Sequence, residues 1–400
     1  MILYLVAGLP TDSITAGFLP AAARLGLDTV LLTDTPEPHV AAYADVAHPP
    51  GRVEQCAVHR PDDIIDAVRR IGPAVGVLSN GDGLQMSTAL AADFLGLPGK
   101  NWRAALRCKD KAFMRQHLTD VGLESVRHAA IVPGAEVPPA WAAFPAVVKP
   151  RTGVASEDCY LVADRGDLVR RVDEIRRRHP QLPLVLEEYL PGELRTFETL
   201  GDAERLAVVG SWRTTLSPPP VFIEERHTWA PDLDPAVTGA LLTALTALGV
   251  GLGACHAEFV LTPGGPRLIE VNYRLIGDRV DLVLAELLGV PLFEYVIRLH
   301  LGEKLEALSL PVSTRVAGHA VLHHVRAERG GRLRSAPGWE DSTTGGVHLT
   351  CRPIRDTGTH APLRGTNRDH LAVVSAVGPD RERVETALTE FLAGNQWVIR

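Results

Sequence analysis

The chain has no apolar run approaching the roughly 20 residues that a membrane helix needs, and its longest N-terminal stretch, residues 2–9, stops at Pro10. That stretch also lacks a basic flank and a small-residue cleavage site. It therefore reads as a first strand and not a signal peptide, and residence in the cytoplasm is the default expectation. Cysteine is scarce: Cys56, Cys108, Cys159, Cys255 and Cys351 are scattered and never form a C-x-x-C pair. This argues against a disulfide framework and a structural zinc site, leaving five free thiols. Excess positive charge is missing as well, since 41 Lys and Arg face 48 Asp and Glu. A groove that neutralises nucleic-acid phosphates by bulk charge is not expected.

Lysine is the most informative shortage. Only Lys100, Lys109, Lys111, Lys149 and Lys304 interrupt a basic set that is otherwise arginine. An ammonium is a compact point charge and a guanidinium a planar fork, so lysine kept at particular positions marks sites that need the former. Biased codon usage would explain the scarcity without explaining the positions.

What is present is ordinary for a globular chain of two to four domains: 400 residues, 46% apolar and 22% charged. Strands at 2–7, 29–33 and 74–78 alternate with helices at 18–25, 63–71 and 84–95, which predicts a parallel sheet with helical crossovers. Gly96, Pro98 and Gly99 mark a boundary. A helix follows from near Lys109, with Gly122 as its stop, then a strand at 146–149 that runs into the loop 150–156. A helix at 167–178 buries Leu168, Val172 and Ile175, and a strand at 184–186 leads into 187–193. Strands at 205–213, a Pro-rich loop at 217–220, a helix at 236–248 and strands at 255–261 and 267–274 come next. The last hundred residues show strand-like 315–325, further β-like segments and a helix at 380–393, with no internal repeat.

The hairpin at 255–274 carries the strongest chemical signal. Strand side chains alternate faces, so His256 and Glu258 share one face of its first strand, and Glu270, Asn272 and Arg274 share one face of its second. Two carboxylates and an amide oxygen form a hard-oxygen set suited to Mg2+, and the arginine suits a phosphoryl group or a substrate carboxylate. The plain alternative is an amphipathic hairpin with a solvated face, against which Leu268 lies in the same row. Lys149 ends an apolar strand before a Gly/Ser/Thr loop, a geometry fit for phosphate, although no P-loop motif occurs. Lys111 opens a helix after Asp110. Gly249-x-Gly251-x-x-Ala254 follows a helix and precedes a strand, the reverse of a dinucleotide fingerprint. His319, His323 and His324 read as ordinary strand histidines, with no carboxylate or cysteine companion nearby in sequence.

Together these pieces resemble the ATP-grasp superfamily, and more narrowly its carboxylate-amine ligases of the L-amino acid ligase kind. The resemblance implies a mixed α/β and α+β chain in three parts: a Rossmann-like N-terminal (pre-ATP-grasp) domain over 1–100, an ATP-grasp region over 101–305 with a lid at about 113–186, and a C-terminal α+β region over 306–400. It implies ATP and Mg2+, with Mn2+ as a substitute. Lys111 and Lys149 then resemble the two nucleotide-contacting lysines, and the 152–156 loop, including Ser156, resembles the one that closes over phosphates. In that loop, Asp158-Cys159 stands where a glycine and an aliphatic residue are common. Glu187, Glu188, Tyr189 and Leu190 look like the adenine hinge, and Glu193 resembles the ribose-binding acid.

Glu258, Glu270 and Asn272 resemble the metal ligands, with Arg274 and Lys149 as the catalytic cations. Arg213, Glu225 and His227 are the acceptor-selecting candidates, together with Arg274. The implied reaction joins a small carboxylate to an amine through an acyl phosphate. A carboxylase that activates bicarbonate, or a non-catalytic nucleotide-binding regulator, are the competing readings. No nucleic acid or membrane partner is implied, and a homodimer is the common oligomer to expect.

Overall fold

The computed structural model describes residues 1–400. Strands Arg52–Gln55, Asp28–Thr33, Ile2–Val6 and Ala74–Leu78 pair in that order, all parallel. Their apolar runs are continuous because helices cover both faces. Tyr4 and Val6 turn toward Ile64, Ala67, Val68 and Ala91, while Leu3 and Leu5 turn toward Phe18, Leu19 and Ala22. The second face does not close on itself. Its core runs on through Phe293 and Leu284 to Trp212 and Leu200 of the large sheet. Phe18 meets Phe293 edge to face with centroids 5.1 Å apart, and Gly17 leaves the space that the Phe293 ring fills.

Strands His128–Ile131, Leu184–Glu188, Ala146–Pro150 and Tyr160–Val162 form a separate antiparallel sheet. Helix Arg165–Arg178 covers it with Leu168, Val172 and Ile175, and Asp164 caps that helix by accepting from the Asp167 amide. Most of its arginines are exposed, and three of them crowd the last turn and complement the helix dipole.

The main body is one ten-stranded antiparallel sheet. Along its path lie Gly265–Asn272, Leu252–Thr262, Glu193–Asp202, Trp212–Leu216, Glu224–Trp229, His319–Arg326, His370–Gly378, Val347–Pro353 and Glu340–Thr344, with Leu206–Gly210 beside Glu193–Asp202. The last hundred residues therefore extend this sheet by four strands. Helix Arg381–Gly394 packs Val384 and Leu388 over them.

The hairpin differs from its expected form in two ways. Its second strand ends at Asn272, so Arg274 leaves the row that holds Glu270 and Asn272, and the register shifts by a bulge between Glu258 and Phe259. All five cysteines are free, and no helix is long and apolar enough to cross a membrane.

Lys100 joins the first sheet's helices to the end of this hairpin. Its ammonium donates to Gln85 Oε1 at 2.7 Å and to the Tyr273 carbonyl, and it lies 4.7 Å from the Tyr273 ring centroid. Burial pushes its pKa down to about 7 from an ordinary 10.5. An unfolded lysine binds its proton up to that ordinary value, so between about pH 7 and pH 10 the unfolded chain holds more protons and stability rises with pH. In urea titrations the stability of the wild type minus that of Lys100→Met should rise by a few kcal/mol, on the order of 1.4 per pH unit, across that window, whatever His256 contributes in the opposite sense to both proteins. An equal pH slope in the two proteins would show that Lys100 is not the titrating group.

Candidate active site

A cleft of about 1010 Å³, including its open mouth, lies between the small antiparallel sheet and the hairpin end of the large one. Lys111, Lys149, Ser156, Glu187, Glu188, Tyr189, Leu190, Glu258 and Glu270 all line it. Glu258 and Glu270 stand directly opposite each other across the hairpin. Burial raises the Glu258 pKa, and the neighbouring Glu224 and Glu270 carboxylates add to the rise, against a hydrogen bond from His256. Opposed carboxylates with few cations between them make a cation-seeking donor set, and hard oxygen ligands of this kind fit Mg2+. Two cations already attend the pair. Lys111 Nζ lies 2.9 Å from Glu270 Oε1, and His256 lies between Glu198 at 2.8 Å and Glu258 at 3.4 Å. Burial opposes the charge on His256, but those two carboxylates carry its pKa to about 10.

Lys111 is placed by a cap. Asp110 Oδ1 accepts from the amides of Ala112 and Phe113, and both Asp110 oxygens are held by Arg151, at 2.7 and 3.0 Å. The Lys111 ammonium also donates to the Gly153 carbonyl at 3.2 Å, tying the helix start to the phosphate-type loop. In that loop Ala155, Ser156 and Asp158 have φ near +55°, in the left-handed region that suits glycine. Asp158 occupies the position expected for glycine and ion-pairs with Arg178 at 2.7 Å. Ser156 donates to the Phe222 carbonyl, closing the loop against the large sheet.

Lys149 is placed by a buried ion network. Its ammonium is 2.8 Å from Glu187 Oε2, and Glu187 takes two further bonds from Arg115 at 2.9 and 3.2 Å. Arg115 is fully buried and also donates to Glu124 at 2.7 Å. Burial opposes ionisation of Glu187, but the Arg115 and Lys149 charges hold its pKa at about 2. The side chain expected to read an adenine edge is thus taken up in holding Lys149. Glu188 turns the other way to Arg127.

Other expected residues are not among those that line the cleft. Arg274, past the strand end, donates to the Leu275 carbonyl and lies 3.7 Å from Asp82, which also binds Lys109. Asn272 is buried opposite His256. Glu193 pairs with Arg213 at 2.7 Å beside the mouth. Glu225 pairs with Arg326 on the opposite side of its strand, so it is Glu224 that lines the cleft. His227 is buried behind Glu224, at 3.5 Å. Sequence reasoning missed Glu224, Arg115 and Asp82. The period-two rule applied to Glu224-Glu225 leaves the choice of face open until the neighbouring strand is known.

An L-amino acid ligase from Bacillus licheniformis superimposes over all of this chain and 98% of its own, with a TM-score of 0.82 at 19% identity. The biotin carboxylase domain of 2-oxoglutarate carboxylase from Hydrogenobacter thermophilus, solved with MgADP, ADP and bicarbonate, superimposes over 99% of this chain and 90% of its own, with a TM-score of 0.70 at 17% identity. This is the ATP-grasp fold. Among sequences, the uncharacterised protein y4rH of Sinorhizobium fredii is 27% identical over 96% of this chain and 80% of its own length. Carnosine synthase 1 of Gallus gallus is 28% identical over 80% of this chain. The aligned span covers only 37% of that synthase. No protein-family model matches the chain. In this fold the small sheet and the hairpin are the two walls of the cleft.

The Arg115 network supplies a stability test. Arg115→Leu leaves Glu124 without its short ion pair inside the protein and halves the cationic company of Glu187. The expected loss is about 3–5 kcal/mol of unfolding free energy in chemical denaturation. A loss below about 1 kcal/mol would mean that the network adds little to stability.

Proposed function

We propose that the protein is an ATP-dependent ligase that activates a small carboxylate as an acyl phosphate and joins it to an amine, releasing ADP and phosphate. The carrying observation is the meeting, in one cleft, of Lys111 and Lys149 with the opposed carboxylates Glu258 and Glu270. Both chemical steps bring anions together, and fixed cations in a site shielded from water lower that barrier without reorganising. Lys149, held by Glu187, and Lys111 would contact the triphosphate. The backbone of Glu188, Tyr189 and Leu190 would flank the base, and the Ser156 loop would cover the phosphates. Glu193 at the mouth would take the ribose.

Glu258 and Glu270, with Asn272 beside them, would hold Mg2+, which when bound supplies charge neutralisation for the phosphates. A carboxylate oxygen attacks the γ-phosphorus and ADP leaves. The amine nitrogen then attacks the acyl carbon, phosphate leaves, and the nitrogen gives up a proton. Arg274, near Asp82, would attend the transferring phosphoryl group or the substrate carboxylate. Segment 211–229, with Arg213 and His227, would shape acceptor choice through its cleft-lining Glu224, whereas Glu225 is taken up by Arg326 on the other side of the strand. Water exclusion by the closed loop matters because an acyl phosphate hydrolyses.

The likeness to carnosine synthase and the L-amino acid ligase supports amide formation over carboxylation. The fold match to a biotin carboxylase domain keeps bicarbonate activation as the second reading. Incubation with Mg-ATP, pooled amino and organic acids, and hydroxylamine decides between them. Hydroxamate in the mass spectrum supports the ligase and identifies the acid. Phosphate release that requires bicarbonate alone supports the carboxylase.

Glu270→Ala and Asn272→Ala should each lower turnover by about a hundredfold or more. Near-normal turnover with an unchanged Mg2+ requirement would remove these two residues from the metal assignment.

A further inference from the structure

Behind the cleft wall, three adjacent strands bring histidines together. Glu224 and His227 lie on Glu224–Trp229, His324 on His319–Arg326 and His370 on His370–Gly378. One ligand atom from each of Glu224, His227 and His324 falls within 4.8 Å of the other two. His227 Nδ1 is engaged by Thr214 Oγ1 at 3.2 Å, which orients the ring and leaves Nε2 3.5 Å from Glu224 Oε2. His370 bonds the backbone carbonyl of Glu224 at 2.9 Å and stacks on His324, with centroids 4.4 Å apart.

His324 is the telling member. It is 2% exposed, and neither ring nitrogen has a hydrogen-bond partner. Buried polar atoms in folded proteins almost always find one, and an imidazole has two to place. Packing alone gives no reason to keep such a ring here, within ligand distance of a second imidazole and a carboxylate.

We propose that Glu224, His227 and His324 bind a divalent transition-metal ion, Zn2+ above all, at a site separate from the Glu258 and Glu270 pair. Two imidazole nitrogens and one carboxylate oxygen suit Zn2+ and its first-row neighbours, whereas Mg2+ prefers oxygen alone. A ligating histidine commonly has its second nitrogen held by a polar partner, the part Thr214 plays for His227. Three protein ligands leave a coordination position free. Glu224 lines the cleft, so the site lies at the cleft wall. The test does not depend on the ligase reaction, because it reads metal binding and not turnover.

The test is metal binding by the full-length chain, stripped with chelator and then titrated with Zn2+ in excess Mg2+. One tightly held Zn2+ per chain is expected by elemental analysis. X-ray absorption of the zinc-loaded wild type should show two imidazoles in the coordination sphere, a readout that needs no variant to fold. His324→Ala and His227→Ala should each weaken Zn2+ by more than about a hundredfold, while His323→Ala, on the opposite face of the same strand, should not. Absence of stoichiometric Zn2+, an all-oxygen coordination sphere, or unchanged affinity in both folded variants would each overturn the proposal.

Discussion

Two carboxylates set opposite each other on a hairpin repel, and everything around the cleft is arranged to make Glu258 and Glu270 tolerable there. The sheet brings them together because their strands register residue against residue up to the bulge at Phe259. A like pair directly opposed across strands is unfavourable on its own. Lys111 and His256 offset part of the repulsion, one from a helix start and the other from the same strand. Each is in turn fixed, Lys111 by the Asp110 cap and the Gly153 carbonyl, His256 by Glu198. The remaining demand for positive charge is what makes this pair fit a metal and phosphates, and not a surface salt bridge.

The division of labour between the two basic residue types follows from the same demand. Four of the five lysines place their ammonium against the hairpin, the strands that face it or the loop beside it: Lys100 on Tyr273, Lys109 on Asp82, Lys111 on Glu270 and Lys149 on Glu187. Only Lys304 lies at the surface, on Glu204. Arginine takes the positions where a planar fork is useful, as at Arg115 between Glu187 and Glu124 and at Arg151 on Asp110. A point charge can shift between a resident carboxylate and an incoming anion with little geometric penalty, whereas a buried fork with every donor placed is a fixture.

What could be read in advance follows from which signals are local. The strands of the first unit, the hairpin, and the places of Lys111 at a helix start and Lys149 near a strand end were legible because continuous apolar runs, alternation and Gly/Pro punctuation are properties of neighbouring residues. Helix Val280–Leu288 was not, because it is buried on most of its circumference, and helix Leu292–His300 shows only the narrow polar face of Glu294 and Arg298. Arg274 was placed in the carboxylate row by extending period two beyond the strand, and chain geometry after Asn272 takes it to Asp82 instead. Glu224 and Glu225 are equivalent until Arg326 on the adjacent strand claims Glu225. The same holds for His324, whose companions come from strands far from it in sequence and whose near neighbours His319 and His323 do not share its site.

Those long-range contacts also explain what the last hundred residues contribute. Asn367 donates its amide to the Ala155 carbonyl, and its side chain accepts from the Glu224 amide at 3.0 Å, so one residue holds both the loop over the cleft and the strand behind it. Arg368 adds an ion pair to Glu157 of the same loop, and Asp369 caps this short turn by accepting from the amides of Arg364, Gly365 and Thr366. Three left-handed, non-glycine residues in the loop are costly to hold, on the order of 1–3 kcal/mol each, and persist only where neighbours over-determine them. The C-terminal strands supply that constraint: they anchor the turn at 367–369 to the large sheet through His370, and the turn anchors the loop. The shape of the cleft is therefore a property of the whole chain, since its cover, its cationic floor and its carboxylate wall are each held by segments more than a hundred residues apart.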